Sequence, residues 1–160
     1  MVSRRLAHLL IASLLAMLAV LPAAAAKNVV HTTIPIDQMV TFPLGPEAQC
    51  FGVPEGTGIN VHFTGELKLT FFVSGPNDGR VHERAKLAFT FTVPSTGASG
   101  SGSNKFNNKF GDGSFVSMNV VHVSGTLPDG TSYRATFHFH TVVKDGEVKV
   151  DIAKTNCEKL

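Results

Sequence analysis

Residues 61–73 read VHFTGELKLTFFV, and their spacing decides the fold class. Val61, Phe63, Gly65, Leu67, Leu69, Phe71 and Val73 hold the odd positions. His62, Thr64, Glu66, Lys68 and Thr70 hold the even ones, with Phe72 the exception. Successive side chains of a strand point to opposite faces, so this pattern predicts a strand with one buried and one wet face. Residues 81–93 repeat it, with Val81, Ala85, Leu87, Phe89, Phe91 and Val93 facing inward and Glu83 breaking the row. Pro76 and Asn77-Asp78-Gly79 between the two supply turn chemistry. A hairpin that sets Val73 against Val81 also opposes Leu67 to Leu87 and Phe63 to Phe91, and places Gly65 under the Phe89 ring.

Working outward, residues 94–114 (PSTGASGSGSNKFNNKFGDGS) lose the alternation, and their Gly, Ser and Asn content predicts a long, flexible loop. Alternation resumes at Phe115. Leu127-Pro128-Asp129-Gly130-Thr131 suits a type I turn followed by a left-handed glycine, which opposes Val123 to Ala135 and Val121 to Phe137. Farther from that turn the apolar positions change parity to Val120, Met118 and Val116, so a bulge is expected near Val120 and Val121. Lys144-Asp145-Gly146-Glu147 suits a two-residue primed turn, pairing Val143 with Val148, Thr141 with Val150 and Phe139 with Ile152. Weaker strand candidates at 29–36, 39–44 and 50–53 bring the total to seven or eight. The expected fold is all-β, an antiparallel up-and-down β-barrel or a closely related β-sandwich.

The amino-terminal segment has a different character. Met1–Arg5 is basic, Leu9–Leu21 is almost purely apolar, and Ala23–Ala26 offers small-residue cleavage frames, so residues 1–26 read as a secretory signal peptide. The remainder, 27–160, is one domain's length of chain, with no expected transmembrane segment. Arg4 and Arg5 account for the whole excess of 14 basic over 12 acidic residues, so the processed chain is balanced and lacks the bulk signature of a nucleic-acid partner. Cys50 and Cys157 are the two cysteines, and in an exported chain they are expected to form a disulfide.

Two groups of residues are candidates for function. His138 and His140 alternate with Phe137 and Phe139 and so share the outer face, with His122 diagonal to His138 and Asp151 opposite His140. Three imidazoles oriented by a carboxylate would suit zinc, with Asp151 as the outer partner of a histidine ligand. The rival reading is an ordinary polar sheet face. In the glycine-rich stretch, Asn104-Lys105-Phe106 and Asn108-Lys109-Phe110 repeat a pattern in which Phe106 and Phe110, beside Lys105 and Lys109, could stack on a sugar ring, a nucleobase or a lipid surface. The rival reading there is that both rings tuck back onto the mouth of the barrel. Glu83 offers a further contact facing the interior. No nucleophile elbow and no phosphate-binding glycine loop occurs in the sequence.

The stretches CFGVPEGTG and FTGELKLT, with the ending GTSYRATFHFHTVVKDGEVKVDIAKTNCEKL, resemble a broad group of small exported bacterial β proteins. That resemblance implies secretion or a place on the exterior of the cell envelope, and an all-β fold; it carries no active site. The functional expectation is a non-enzymatic binding module for a small apolar or sugar-like ligand, with no cofactor. Two alternatives stand beside it: a zinc-binding protein or hydrolase built on the histidines, and a structural or interaction protein whose partner is an envelope component.

Overall fold

The computed structural model describes residues 29–160, and the signal peptide read at 1–26 lies outside them. Seven strands run in chain order: β1 (Val29–Pro43), β2 (Gly58–Phe72), β3 (Val81–Val93), β4 (Ala98–Gly111), β5 (Ser114–Thr126), β6 (Ser132–Lys144) and β7 (Glu147–Lys159). They form one antiparallel sheet in which every hydrogen-bonded neighbour is also the neighbour in sequence. The fold is all-β, as the alternation predicts, but the sheet is not closed into a barrel. β1 and β7 are its two edges.

The sheet curls around a six-residue 3-10 turn, Pro46–Phe51, between β1 and β2. The Phe51 ring meets Phe91 of β3 and Tyr133 of β6 edge-on, each at a centroid distance of 5.5 Å. In a flat sheet those strands would lie about 14 Å apart. Contact of both with one ring therefore requires curvature, and it defines an inner face. Leu44, Ala48, Phe51 and Val53 bury themselves there with Val61, Phe91, Val93, Ala98, Val123 and Phe137. Residues 50–53, expected as a strand, instead complete this turn and its exit. Pro46 opens it, and Gly52 in the left-handed region (φ 67°) ends it, donating its N–H to the Gln49 carbonyl at 3.2 Å. Cys50 is disulfide-bonded to Cys157 of β7, across 107 residues of chain and a Cα–Cα distance of 5.7 Å. A loop of that length stabilises the fold by roughly 4 to 5 kcal/mol in the chain-entropy account.

The stretch expected as a loop at 94–114 is mostly strand. Only Pro94–Gly97 turns, with Thr96 and Gly97 donating N–H groups to the Val93 carbonyl at 3.1 and 2.9 Å. β4 follows, paired on both sides. Its glycines are spacing residues: a Cβ at Gly100 would collide with the Ser124 carbonyl oxygen and sit 2.8 Å from the Phe91 ring. One at Gly102 would collide with the His122 carbonyl oxygen and with the Phe89 ring. Aromatic rings from β3 occupy the space that side chains on β4 would need.

Three registers differ from expectation. β2 and β3 are shifted by two residues, so that Phe71 faces Val81, Leu67 faces Ala85, Phe63 faces Phe89 and Gly65 faces Leu87. The cause lies in the turn. Phe72 donates its N–H to the Arg80 carbonyl at 3.0 Å, Gly79 donates to the Phe72 carbonyl at 2.9 Å, and Val73 is left outside the ladder, half exposed. A shift of two preserves the faces. β5 and β6 pair without interruption from Ser114 to Thr126, so the bulge expected near Val120 is absent, while Val123–Ala135 and Val121–Phe137 pair as predicted. Val143 faces Val148 as expected, yet a bulge between Val142 and Val143 then offsets β7 by one: Thr141 faces Asp151 and Phe139 faces Ala153.

Candidate functional site

Because the ladders are continuous, inward-facing residues line up in rows that cross the sheet. At the end covered by the 3-10 turn these rows are buried and apolar. At the opposite end, beside the β2–β3, β4–β5 and β6–β7 turns, the 3-10 turn does not reach them, and burial is confined to a second, smaller cluster of Leu67, Leu69, Ala85 and Leu87 on β2 and β3. The outermost row is Val30, Phe71, Val81, Phe110, Phe115 and Val143, every one of them half-buried. Phe110 and Phe115 stack at 4.9 Å with their planes 29° apart.

The next row is polar from β3 to β7: Glu83, Asn108, Ser117, Thr141 and Asp151. Asn108 Nδ2 donates to Glu83 Oε2 at 3.1 Å, and Ser117 Oγ donates to Asn108 Oδ1 at 2.8 Å. Thr141 Oγ1 donates to Asp151 Oδ1 at 3.2 Å. One row deeper lie Ala85, Phe106, Asn119 and Phe139, and Asn104 follows diagonally. The Oδ1 atoms of Asn119 and Asn104 are buried and have no hydrogen-bond partner among the described residues.

A buried acceptor without a partner costs about 1–3 kcal/mol, and polar groups facing an interior are retained only where something answers them. The unanswered groups here are the two amide oxygens, both acceptors, and the carboxylates of Glu83 and the exposed Asp151 add further acceptors on the same face. What suits them is a molecule that brings hydrogen-bond donors and an apolar body to rest on the phenylalanine row.

The residues singled out from the sequence divide between the two faces. Phe110 lies in the outer apolar row, and Phe106 packs on Leu67, Leu69, Ala85 and Leu87 of the inner face. Lys105 and Lys109, at alternate positions of the same strand, point to the outer face and are exposed. The expectation of one binding surface made of all four is therefore corrected, because strand alternation puts rings and ammonium groups on opposite sides. Glu83 faces inward, as its place in the β3 pattern suggested. Asn108, Ser117 and Thr141 were missed, and Asp151 was marked for the outer face rather than the inner one; reading Asp112-Gly113 as a two-residue turn would have set Asn108 against Ser117.

All six histidines of the described residues, His31, His62, His82, His122, His138 and His140, fall on the outer face. His122 and His138 are diagonal neighbours, as expected, and His122 Nδ1 shares a 3.2 Å hydrogen bond with Thr136 Oγ1. His138 stands between Val120 and Lys154, and His140 between Met118 and Ile152. Asp151 is on the inner face, bonded to Thr141, so the carboxylate meant to orient His140 is not beside it. The bulge in β7 causes that change. Among the described residues no three of His, Cys, Asp and Glu come together as a metal-binding group, and this donor arrangement does not fit zinc. His62 instead pairs with Asp37 at 2.6 Å. Partial burial, with Lys109, Arg84 and Arg80 nearby, holds His82 below the ordinary histidine range.

A shallow recess of about 430 Å³ also opens on the outer face, among Ser101, Ser103, His122, Ser124, Arg134 and Thr136. The backbone of Gly102 lines it as well. It shares no inward-facing row with the polar ladder. Comparison with known proteins finds no matching family model, no matching curated protein and no matching solved structure, so the site's own geometry carries the functional reading.

Proposed function

We propose that this is an exported, non-enzymatic binding domain that takes a small amphiphilic ligand, sugar-like in its hydroxyl donors, on the uncovered end of its inner face. The observation that supports this most is the pairing of two adjacent rows: half-buried Phe71, Phe110 and Phe115 beside the acceptor-rich Glu83, Asn108, Ser117, Thr141 and Asp151. The apolar row would hold the body of the ligand and the polar row would fix its orientation, the usual division of labour in small-molecule sites. The Cys50–Cys157 disulfide supports export, since such bonds persist in oxidising compartments.

Isothermal titration with a series of alkyl glycosides below their micelle concentrations tests this reading. Saturable one-to-one binding is expected, weakened about tenfold or more by Glu83→Gln and by Phe110→Ala. Absence of binding across the series, or binding indifferent to both substitutions, would contradict it.

A further inference from the structure

The missing bulge in β5 has a second effect, on the outer face. With the β5–β6 ladder unbroken, Val116, Met118 and Val120 point outward, and so do Val142 of β6 and Val150 and Ile152 of β7. Cross-strand rows place Val116, Val142 and Val150 side by side, then Met118, His140 and Ile152, then Val120, His138 and Lys154. The result is an apolar block about 10 Å by 14 Å on the solvent side of the sheet, from strand and residue spacings. Met118 is 54% exposed and Ile152 41%.

The surroundings of this block are cationic. Lys105 and Lys109 border it on β4, and Lys144 closes its end on β6. Lys154 borders it on β7, and Arg84 and Lys86 lie one strand beyond on β3. All six are exposed and none forms an ion pair among the described residues. Lys86 and Lys105 face each other directly across β3 and β4. Like charges so placed repel, and a chain that keeps them has no internal use for the arrangement. Two outward carboxylates adjoin these cations: Glu147, opposite Lys144, is paired with Lys149, and Glu66 stands opposite Lys86 on the far side of β3, which leaves Lys105, Lys109 and Lys154 without an acidic cross-strand neighbour.

We infer that this face of β4–β7 docks on an anionic lipid surface, with Val116, Met118, Val142 and Ile152 entering the headgroup boundary and Lys105, Lys109, Lys144 and Lys154 contacting the acidic headgroups. An apolar block of this size is ordinary on a monomer's surface, and what points to a partner is its combination with the cations around it. A second copy of the chain does not suit it, because face-to-face contact would press lysines against lysines. An acidic polymer would answer the lysines and leave the valines, Met118 and Ile152 without a role. Apolar side chains ringed by basic ones match the two layers of a lipid interface. The inference uses the face opposite the proposed ligand site and stands independently of it.

Co-sedimentation of the processed, oxidised protein with vesicles tests it, comparing pure phosphatidylcholine with a mixture containing about a third phosphatidylglycerol. Binding is expected only to the anionic vesicles, with at least a tenfold loss at 0.5 M NaCl, in Met118→Asp with Ile152→Asp, and in Lys105→Glu with Lys109→Glu. Each substituted side chain is exposed, and an unchanged thermal midpoint and disulfide would verify that the variants fold. Equal sedimentation of the variants, sedimentation that ignores lipid charge, or none with wild type would overturn the inference. So would a concentration-dependent dimer that Met118→Asp dissolves in the absence of lipid binding.

Discussion

The two ends of the inner face are built from the same seven strands, yet at one the core runs across the sheet, while at the other it is confined to Leu67, Leu69, Ala85 and Leu87 of β2 and β3. At the covered end the inward residues Val61, Phe91, Val93, Tyr133 and Phe137 are all buried, and the 3-10 turn with Phe51 fills the space between the curled strands. At the uncovered end the same alternation continues, but the row from Val30 to Val143 is only half-buried and the row beside it carries Glu83, Asn108 and Ser117. Alternation thus selects a face, and a covering element decides how far across the sheet that face becomes a core.

The largest effect expected from this contrast separates two phenylalanines. Phe51→Ala should lower stability by about 3–5 kcal/mol, as for a fully buried ring. Phe110→Ala, in a half-exposed row, should cost no more than about 1.5 kcal/mol; urea unfolding measures both. Equal costs would mean that the row of Phe110 and Phe115 is core after all. Cys50→Ser with Cys157→Ser should cost about 2–5 kcal/mol. It should also loosen protection from hydrogen exchange first in β7 and the 3-10 turn, because that bond ties them together. Protection lost evenly across the sheet would contradict this.

Smaller effects of opposite sign are expected where polar atoms lack partners. Asn119→Leu removes a buried unpaired acceptor and should raise stability by about 1 kcal/mol while weakening ligand binding. Tyr133 belongs to the covered end, and its buried hydroxyl has no hydrogen-bond partner among the described residues. Burial pushes its phenol well above the ordinary value of about 10. The folded chain then keeps the proton where the unfolded chain releases it. This contribution to stability is full below about pH 10 and is lost as the pH rises above that. Tyr133→Phe should add about 1 kcal/mol at neutral pH and flatten the alkaline decline, a change that pH-dependent melting would register. An unchanged alkaline limb would assign the decline to other groups.

Much of the fold was legible because β2 and β3 alternate strictly, and because Asp129-Gly130 and Asp145-Gly146 spell their turns: Gly130 sits at φ 85°, Asp145 at 52° and Gly146 at 78°. β4 was not. Its glycines at 100 and 102 resemble loop composition until the Phe91 and Phe89 rings are seen lying over them. The closed barrel was an extrapolation from strand count and length, neither of which states whether two edges meet. The site was legible in fragments. Phe106, Phe110 and Glu83 were marked by type and position, but the ladder from Glu83 to Asp151 requires correct registers across five strands. A bulge expected in β5 and one unforeseen in β7 misplaced both Ser117 and Asp151. The assumption that Val116, Met118 and Val120 must face inward created the first error.

The most direct test of the claim that the uncovered end is a binding face is a residue-resolved NMR map during titration with octyl glucoside below its micelle concentration. The account predicts saturable shifts concentrated on Glu83, Asn108, Phe110, Phe115, Ser117 and Thr141, with the covered end and the outer-face recess around His122 and Arg134 unmoved. Shifts centred on that recess, or confined to the Met118 and Ile152 face, would contradict it.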